Sequence, residues 1–197
     1  MFRLRVQIVF LLGLVGLITA CQTPKPVVLT ASPRGGSIDI SVGTMDMVNE
    51  HRPHAVSPYI DHLYQPSLAV LLQQWGEDTL NPVENDGNLL MTVTKANLQE
   101  IAIASNDDLK SLFTNEQRKL VVADVSASFS FTHPQNFQTA SLVVNASYQT
   151  TIPDYITPAE AERIRTHVMT EAISRFDAEF RQQILSIKNP NGWPLAP

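Results

Sequence analysis

The clearest pattern in the sequence is an alternation of apolar and small polar residues, in the stretch Val121-Val122-Ala123-Asp124-Val125-Ser126-Ala127-Ser128-Phe129-Ser130-Phe131. Successive side chains of a β-strand point to opposite faces, so the residues at odd positions share an apolar face and Asp124 and the serines share a polar one. The alternation returns from Ala140 to Tyr148, after a turn at residues 133–136. The two stretches predict an antiparallel hairpin of long strands, and a sheet that is covered on one face only.

Two amphipathic stretches predict helices on either side of this hairpin. The first helix follows Pro66-Ser67, and its apolar face comprises Leu68, Leu71, Leu72, Trp75 and Thr79. The second is predicted over residues 158–187, because Thr157-Pro158-Ala159-Glu160 combines an N-cap threonine with proline at the first helical position and glutamate at the third. Its apolar stripe comprises Ile164, Val168, Ala172, Phe176, Phe180 and Ile184. The pairs Glu171/Arg175 and Asp177/Arg181 are expected on its solvent-exposed face.

Two further strands are predicted before the hairpin. Residues 37–42 alternate in polarity, with Ile38, Ile40 and Val42 on one face, and form the predicted first strand. A second strand begins at Leu89 and is expected to run to Ile103 with a kink near Ala96, where the alternation slips. Residues 49–63 predict a loop, and residues 105–118 a short helix or turn that caps one edge.

The order of these elements is β-α-β-β-β-α. It predicts a two-layer α+β domain, in which one mostly antiparallel four-stranded sheet carries two helices on one face.

The start of the chain is organised like a secretory signal. Arg3 and Arg5 precede an apolar run from Val6 to Ile18, which is shorter than the ~20 residues of a membrane-spanning helix. The run ends in Leu17-Ile18-Thr19-Ala20-Cys21, which contains the one cysteine of the chain. An ordinary signal peptide with an unrelated cysteine and a single transmembrane anchor are the alternatives to the interpretation given next.

This segment resembles the lipobox of bacterial lipoproteins, in which the cysteine is lipidated and becomes the mature N-terminus. The resemblance implies a lipidation site at Cys21 and attachment to the membrane through covalent lipid. An aspartate after the cysteine retains such proteins in the inner membrane. Gln22 stands at that position, which implies an outer-membrane anchor with the domain facing the periplasm.

These features divide the chain into four parts: a signal peptide (1–20), a lipidated N-terminus with a Pro-rich tether (21–36), a periplasmic α+β domain (37–188) and an extended tail (189–197). Removal of the signal peptide leaves 12 basic against 19 acidic residues, a formal charge of −7. Because the sequence contains no basic cluster, it does not predict a nucleic-acid partner.

The lipobox, the tether and the element order together resemble small proteobacterial envelope lipoproteins. One similar group is a set of uncharacterised lipoproteins with a Leu-Phe-Thr-x-Glu-Gln segment before the long hairpin, matched here by residues 112–117. A looser resemblance, in element order over residues 37–187, is to the auxiliary lipoproteins of ABC-type transport systems that move lipids between membranes. These resemblances imply a role beside an envelope protein complex.

Candidate catalytic and metal-binding residues are few. His51, His54 and His62 could ligate zinc, but their spacing is loose and favours three solvated loop histidines, and His133 and His167 are expected at the surface. No nucleophile motif such as Gly-x-Ser-x-Gly is present. The sequence therefore predicts a protein that is not an enzyme and that has no metal or cofactor.

Two binding functions remain open. The domain could be an accessory or scaffold protein that docks through its sheet edge, its polar sheet face or its tail, or a carrier that holds a lipid or other apolar ligand between sheet and helices. Its bulky aromatic residues are expected to fill the interior, which favours the first. The second predicted helix is longer than the sheet, so the residues near its end are predicted to bind a partner: Ile184, Leu185, Ile187 and, in the tail, Trp193. Deletion of residues 189–197 is expected to leave the fold intact.

Overall fold

The computed structural model describes residues 35–103, 117–134 and 137–196. Its main layer is a sheet of four strands in the order β2-β4-β5-β6, namely β2 (Thr44–Asn49), β4 (Asn88–Ala102), β5 (Gln117–His133) and β6 (Gln138–Pro153). β2 is parallel to β4, whereas β4, β5 and β6 are antiparallel to one another in turn. The sheet is therefore mixed and mostly antiparallel, and the α+β class is confirmed.

The long hairpin forms as predicted. Phe129 of β5 lies opposite Leu142 of β6. All six residues predicted for the inner face of β5 are buried: Val121, Ala123, Val125, Ala127, Phe129 and Phe131. Period-two alternation therefore identified the covered face correctly.

Two helices pack on that face. The first, α1, spans Leu68–Thr79 and begins at Ser67, whose hydroxyl accepts the Val70 N–H. The second, α2, spans Pro158–Ser186 and begins with the predicted capping box. An aromatic cluster, whose ring centroids lie 4.7–6.3 Å apart, fills the space between helices and sheet. It comprises Trp75, Phe129, Phe176 and Phe180.

The first strand of the sheet is not the predicted one. Ile38–Ile40 forms β1, which pairs in parallel with β3 (Leu80–Pro82) in a separate two-stranded sheet. Between β1 and β2 the chain passes Gly43, where a Cβ would approach the backbone of Asn85 to 2.7 Å. Alternation predicted a strand at residues 37–42 but does not say which sheet it joins, and neither β2 nor β3 was predicted.

The kink predicted in β4 is a β-bulge. The pairing with β5 shifts between Val93 and Lys95. The buried apolar residues are odd-numbered before the bulge and even-numbered after it: Leu89, Met91 and Val93, then Ala96 and Leu98. The extra residue keeps the apolar side chains of a long strand on the inner face.

The predicted loop after β2 ends in a 3-10 turn, Asp61–Leu63. Its last part continues the edge of the sheet, because the Ile60 N–H donates to Leu98 O at 2.8 Å and the Glu100 N–H donates to Pro58 O at 2.8 Å. The helix or turn predicted in residues 105–118 lies almost wholly outside the described residues, and β5 begins at Gln117.

Candidate protein-binding surface

The predicted lipidation site at Cys21, the signal peptide and the tether up to residue 34 lie outside the described residues. Within the described ranges, no helix is long and apolar enough to span a membrane. The start of the domain is bound to α2, because the Arg181 guanidinium donates to the Gly36 carbonyl.

Arg181 is also part of a polar contact that enters the core. Its Nε lies 2.9 Å from Oδ2 of Asp177, and Trp75 Nε1 donates to Asp177 Oδ1 at 3.0 Å. The prediction of a solvent-exposed Asp177/Arg181 pair was wrong for Asp177, which is buried. A buried carboxylate is tolerated here because the indole N–H and the guanidinium both bind it.

The four residues predicted to bind a partner near the end of α2 are mostly inaccessible. Ile184 and Trp193 are buried, Ile187 is partly buried, and Leu185 is 61% exposed. The structure therefore corrects the predicted surface, since Leu185 is the one of these four residues that is exposed.

The tail covers this end of the domain. Trp193 Nε1 donates to Ser41 O at 3.1 Å, the Ser41 N–H donates to Pro194 O at 2.9 Å, and the indole lies edge-on to Phe131. Residues 189–196 thus pack on β1 and belong to the domain. The expectation that their deletion leaves the fold intact conflicts with these contacts.

Two of the five histidines are buried, contrary to prediction. The side chain of His51 is 6% exposed, and its Nε2 lies 3.5 Å from Oδ2 of the buried Asp61. His133 is also buried, with its Nε2 3.5 Å from Oε2 of Glu84. His51 contacts a residue ten positions later in its own loop, and His133 contacts a loop distant along the chain, and local polarity indicates neither contact.

The other three histidines are exposed, as predicted. His62 Nδ1 lies 3.1 Å from the His54 carbonyl oxygen, and the ring of His167 is edge-on to Tyr148. In the part of the chain that the structure describes, no three His, Cys, Asp or Glu side chains are placed to hold a metal ion.

A charged cluster ties β4 and β5 to α2. Glu100 accepts hydrogen bonds from Arg165 Nε at 2.7 Å and Lys119 Nζ at 2.6 Å. Burial acts to raise the pKa of Glu100, but the bonds and charges of Lys119 and Arg165 outweigh it and place the pKa below its ordinary value. Burial and the neighbouring Glu162 raise the pKa of Tyr64 far above its ordinary value. Glu100 is therefore ionised and Tyr64 neutral at physiological pH, which suits a structural role.

The helix-free face of the sheet is mainly polar. Residues that pair across the four strands form rows on this face. One row consists of Val48, Thr92, Ser128 and Val143. The adjacent row consists of Asp46, Leu90, Ser130 and Ser141. At the bulge, the Thr94 hydroxyl lies 3.1 Å from Ser126 Oγ. This face is a hydroxyl-rich surface with a few exposed apolar side chains.

The β2 edge of the sheet is short and charged. β2 has 6 residues, including Asp46, and the loop that follows begins with Glu50, Arg52 and Pro53. Short length, charge and proline all disfavour pairing with a strand of another chain.

The β6 edge differs from the β2 edge in length, in charge and in the position of proline. β6 has 16 residues, none of them charged, and its one proline is the last of them. Among the described strands its only neighbour is β5. The outer N–H and C=O groups of this strand form a long edge that is available for pairing.

One side chain shows which groups of β6 face outward. Arg175 Nη1 donates to the Ser147 carbonyl at 3.2 Å, and its guanidinium lies 4.7 Å from the ring centre of Tyr148. The backbone groups of successive residues alternate in direction along a strand. The N–H and C=O groups of the odd-numbered residues of β6 therefore point away from β5, toward the open edge. In the free part of the edge these are Thr139, Ser141, Val143 and Asn145.

Comparisons with known proteins give no family. No family model matches the chain, and no curated protein matches it. Solved structures with some likeness include a minor lipoprotein from Acinetobacter baumannii (10% identity, TM-score 0.40, covering 80% of this chain and 98% of that one). Another is a candidate lipoprotein from Caulobacter crescentus (8% identity, TM-score 0.34, covering 53% and 67%). A third is a protein of unknown function from Xanthomonas campestris (11% identity, TM-score 0.36, covering 81% and 91%).

The sequence reasoning missed the β6 edge as a site, although part of the signal was present. The absence of charge from residues 138–153 is visible in the sequence. That β6 is an outer strand depends on the sheet order, which only the tertiary structure provides.

Proposed function

We propose that this chain is a lipid-anchored accessory or scaffold lipoprotein of the bacterial cell envelope, which acts by binding protein and not by catalysis. The observation that supports this function most directly is the long, uncharged outer edge of β6. Strand addition at such an edge is a common mode of protein recognition, because backbone hydrogen bonds supply affinity and side chains supply specificity. An envelope transport complex is a suitable setting, given the resemblance of the sequence to auxiliary lipoproteins.

The proposed anchor is lipid on Cys21 in the outer membrane. It is supported by the signal-like residues 1–20 and by the lipobox resemblance. In the full chain, Cys21→Ser should abolish lipidation and leave the signal peptide uncleaved. Gln22→Asp should keep lipidation and move the protein to the inner membrane. Membrane fractionation and labelling with a fatty-acid analogue measure both results. A Cys21→Ser chain that still fractionates as a mature outer-membrane protein contradicts the anchor.

The alternative function, a carrier for a lipid or other apolar ligand, has less support. The aromatic cluster occupies the layer between helices and sheet, with Trp75 in contact with Phe129, Phe176 and Phe180. An apolar ligand in this layer has to displace rings that already pack at ordinary contact distances. The protein-binding function therefore remains the better-supported one.

Photo-crosslinking in cells tests where protein binds. A photoreactive residue replaces Val143 of β6 in one full-length chain and Val48 of β2 in another. The two sites are matched, because both valines are exposed (55% and 42%) and lie in the same cross-strand row. Crosslinks to protein are expected from position 143 and not from position 48. Equal crosslinking at the two positions, or none at either, contradicts a binding site at the β6 edge.

A further inference from the structure

We infer that β6 pairs with β6 of a second copy of this chain, antiparallel and about a two-fold axis at Leu142. The inference rests on the proposed function, since it names the partner of the same edge. It follows from the free backbone groups, from the distribution of charge and from the side chains at the two ends of the free stretch.

The backbone fixes the register. Arg175 already occupies the Ser147 carbonyl, so the outward-facing groups before Ser147 that no described residue binds run from Thr139 to Asn145. The centre of that stretch is Leu142. An antiparallel copy then places Ser141 opposite Val143 of the second copy, and Thr139 opposite Asn145. Four outward-facing residues in each chain form about eight backbone hydrogen bonds between the copies.

The second helix does not bond to this part of the edge. α2 contacts β6 at Tyr148 and Ser147 through Arg175. Two residues later along α2, Asp177 faces inward and accepts the indole N–H of Trp75 on α1. Within the described residues, no α2 side chain bonds to the backbone from Thr139 to Asn145.

Charge favours β6 as the meeting point of two copies. The chain has a formal charge of −5, so most surfaces of two copies repel each other. The 16 residues of β6 carry no charge, and their self-pairing brings no like charges together. Self-pairing of the β2 edge brings Asp46 and Glu50 of both copies close to one another.

The ends of the free stretch are complementary to each other. Phe137, just before β6, is 94% exposed, whereas the opposite end carries the Arg175 guanidinium. With Leu142 on the axis, Phe137 lies opposite Ser147 of the second copy. Its ring is thereby brought close to the arginine that binds that residue, which favours a cation–π contact. Two-fold symmetry forms this contact twice.

The lack of protection on β6 favours a second copy over a different protein. An edge that is to remain free of its own kind usually carries a charge, a bulge or a proline within the strand. β6 has none of these before Pro153, and a second copy is the strand that is always present at equal concentration. Strand pairing alone buries a small area, so we expect a weak dimer that attachment to one membrane surface strengthens.

The test uses two full-length chains with different epitope tags, produced together in cells. Each carries the photoreactive residue at position 141, which faces Val143 of the second copy in the inferred register. We expect crosslinks that join the two tags. Val143→Lys in both chains should lower their yield about threefold, because the two lysines lie about 7–8 Å apart across the axis and repel each other. Val48→Lys, the matched change on the β2 edge, should leave the yield unchanged.

A charge exchange separates self-pairing from misfolding. Chains with Val143→Lys and chains with Val143→Glu should each pair less with themselves than the native chain does, and should crosslink more to each other when mixed. Recovery in the mixture shows that both variants fold, since neither can regain the contact unless β6 is formed.

The possible outcomes distinguish the second copy from other occupants. Crosslinks between the tags that follow the Lys/Glu pattern support the inference. Crosslinks to a different protein, or within one chain to residues 22–34, overturn the second copy. A different protein leaves the proposed binding function intact. If no crosslink forms at position 141 or 143, both the second copy and the proposed binding site are wrong.

Discussion

The two edges of the main sheet present their backbone to solvent in different ways. β2 is short, contains Asp46 and leads into a loop whose residues cover the continuing edge of β4 through Ile60 and Pro58. β6 is more than twice as long and has no charge, and only Arg175 of α2 bonds to its outer side among the described residues. The difference indicates that one edge is protected against pairing whereas the other is open to it.

The edges also differ in what supports them from inside. β2 comes directly after β1 in the chain. The C-terminal tail is bonded beside β1, because Trp193 donates a hydrogen bond to the Ser41 carbonyl. β6 is held by its own inward residues Leu142 and Val144 under α2. Substitution of Trp193 should therefore destabilise the β2 edge, and substitution of Leu142 or Val144 the β6 edge.

Trp193→Ala should have the largest effect. The side chain is buried, packs on Phe131 and donates a hydrogen bond to Ser41, so we expect a loss of about 3–5 kcal/mol in the free energy of unfolding. Denaturant unfolding measures the loss, and amide hydrogen exchange should rise in β2 more than in β6. The exposed Leu185→Ala is the control and should change stability little. Equal exchange in both edges contradicts the separate supports.

Leu142→Ala should reduce stability by about 3 kcal/mol, because the side chain is buried under α2. Met45→Ala, at the partly buried inner face of β2, should cost about 1 kcal/mol. Urea titration of the two variants gives the comparison. If the methionine substitution costs as much as the leucine substitution, β2 is anchored in the core as firmly as β6.

Glu100→Gln tests the corner where the loop replaces β2 beside β4. The folded pKa of Glu100 lies below its unfolded value of about 4.3, so the ionised carboxylate stabilises the fold above that pH and the stabilisation is lost as pH falls through the folded pKa. We expect a loss of about 2 kcal/mol at pH 7 and a smaller difference from the native chain at acidic pH. Unfolding curves between pH 3 and 7 follow this difference. The exposed Glu50→Gln should lack it, and a difference that is constant with pH contradicts the argument.

Arg175→Ala should have the smallest effect on stability, about 1 kcal/mol, through loss of the bond to Ser147 and the contact with Tyr148. It also removes the cation–π partner inferred for Phe137 of a second copy, so we expect less self-association at the β6 edge. Unfolding curves and sedimentation velocity measure the two effects. Arg175→Lys keeps the charge and should fall between the native chain and the alanine variant. Increased association in the alanine variant means that the arginine, which occupies the Ser147 carbonyl, limits pairing more than it supports it.

The sequence by itself determined the local structure and the covered face of the hairpin. The capping box at Thr157 and Glu160 located the start of α2, and the alternation from Val121 to Phe131 identified the buried residues of β5. The slip near Ala96 located the bulge in β4. These features depend on neighbours within a few residues, so their physical causes are present in the local sequence.

Only the tertiary structure decided the sheet order, and with it which strand lies at an edge. It assigned residues 38–40 to a second sheet, folded Trp193 back onto Ser41, buried His51 within the fold of its own loop, and buried His133 beside Glu84 of a distant segment. The sequence therefore predicted a partner site at the end of α2, whereas the site that we propose is the edge of β6. Pairing between distant strands is set by the packing of the whole core, and the period-two pattern of an outer strand is the same as that of an inner one.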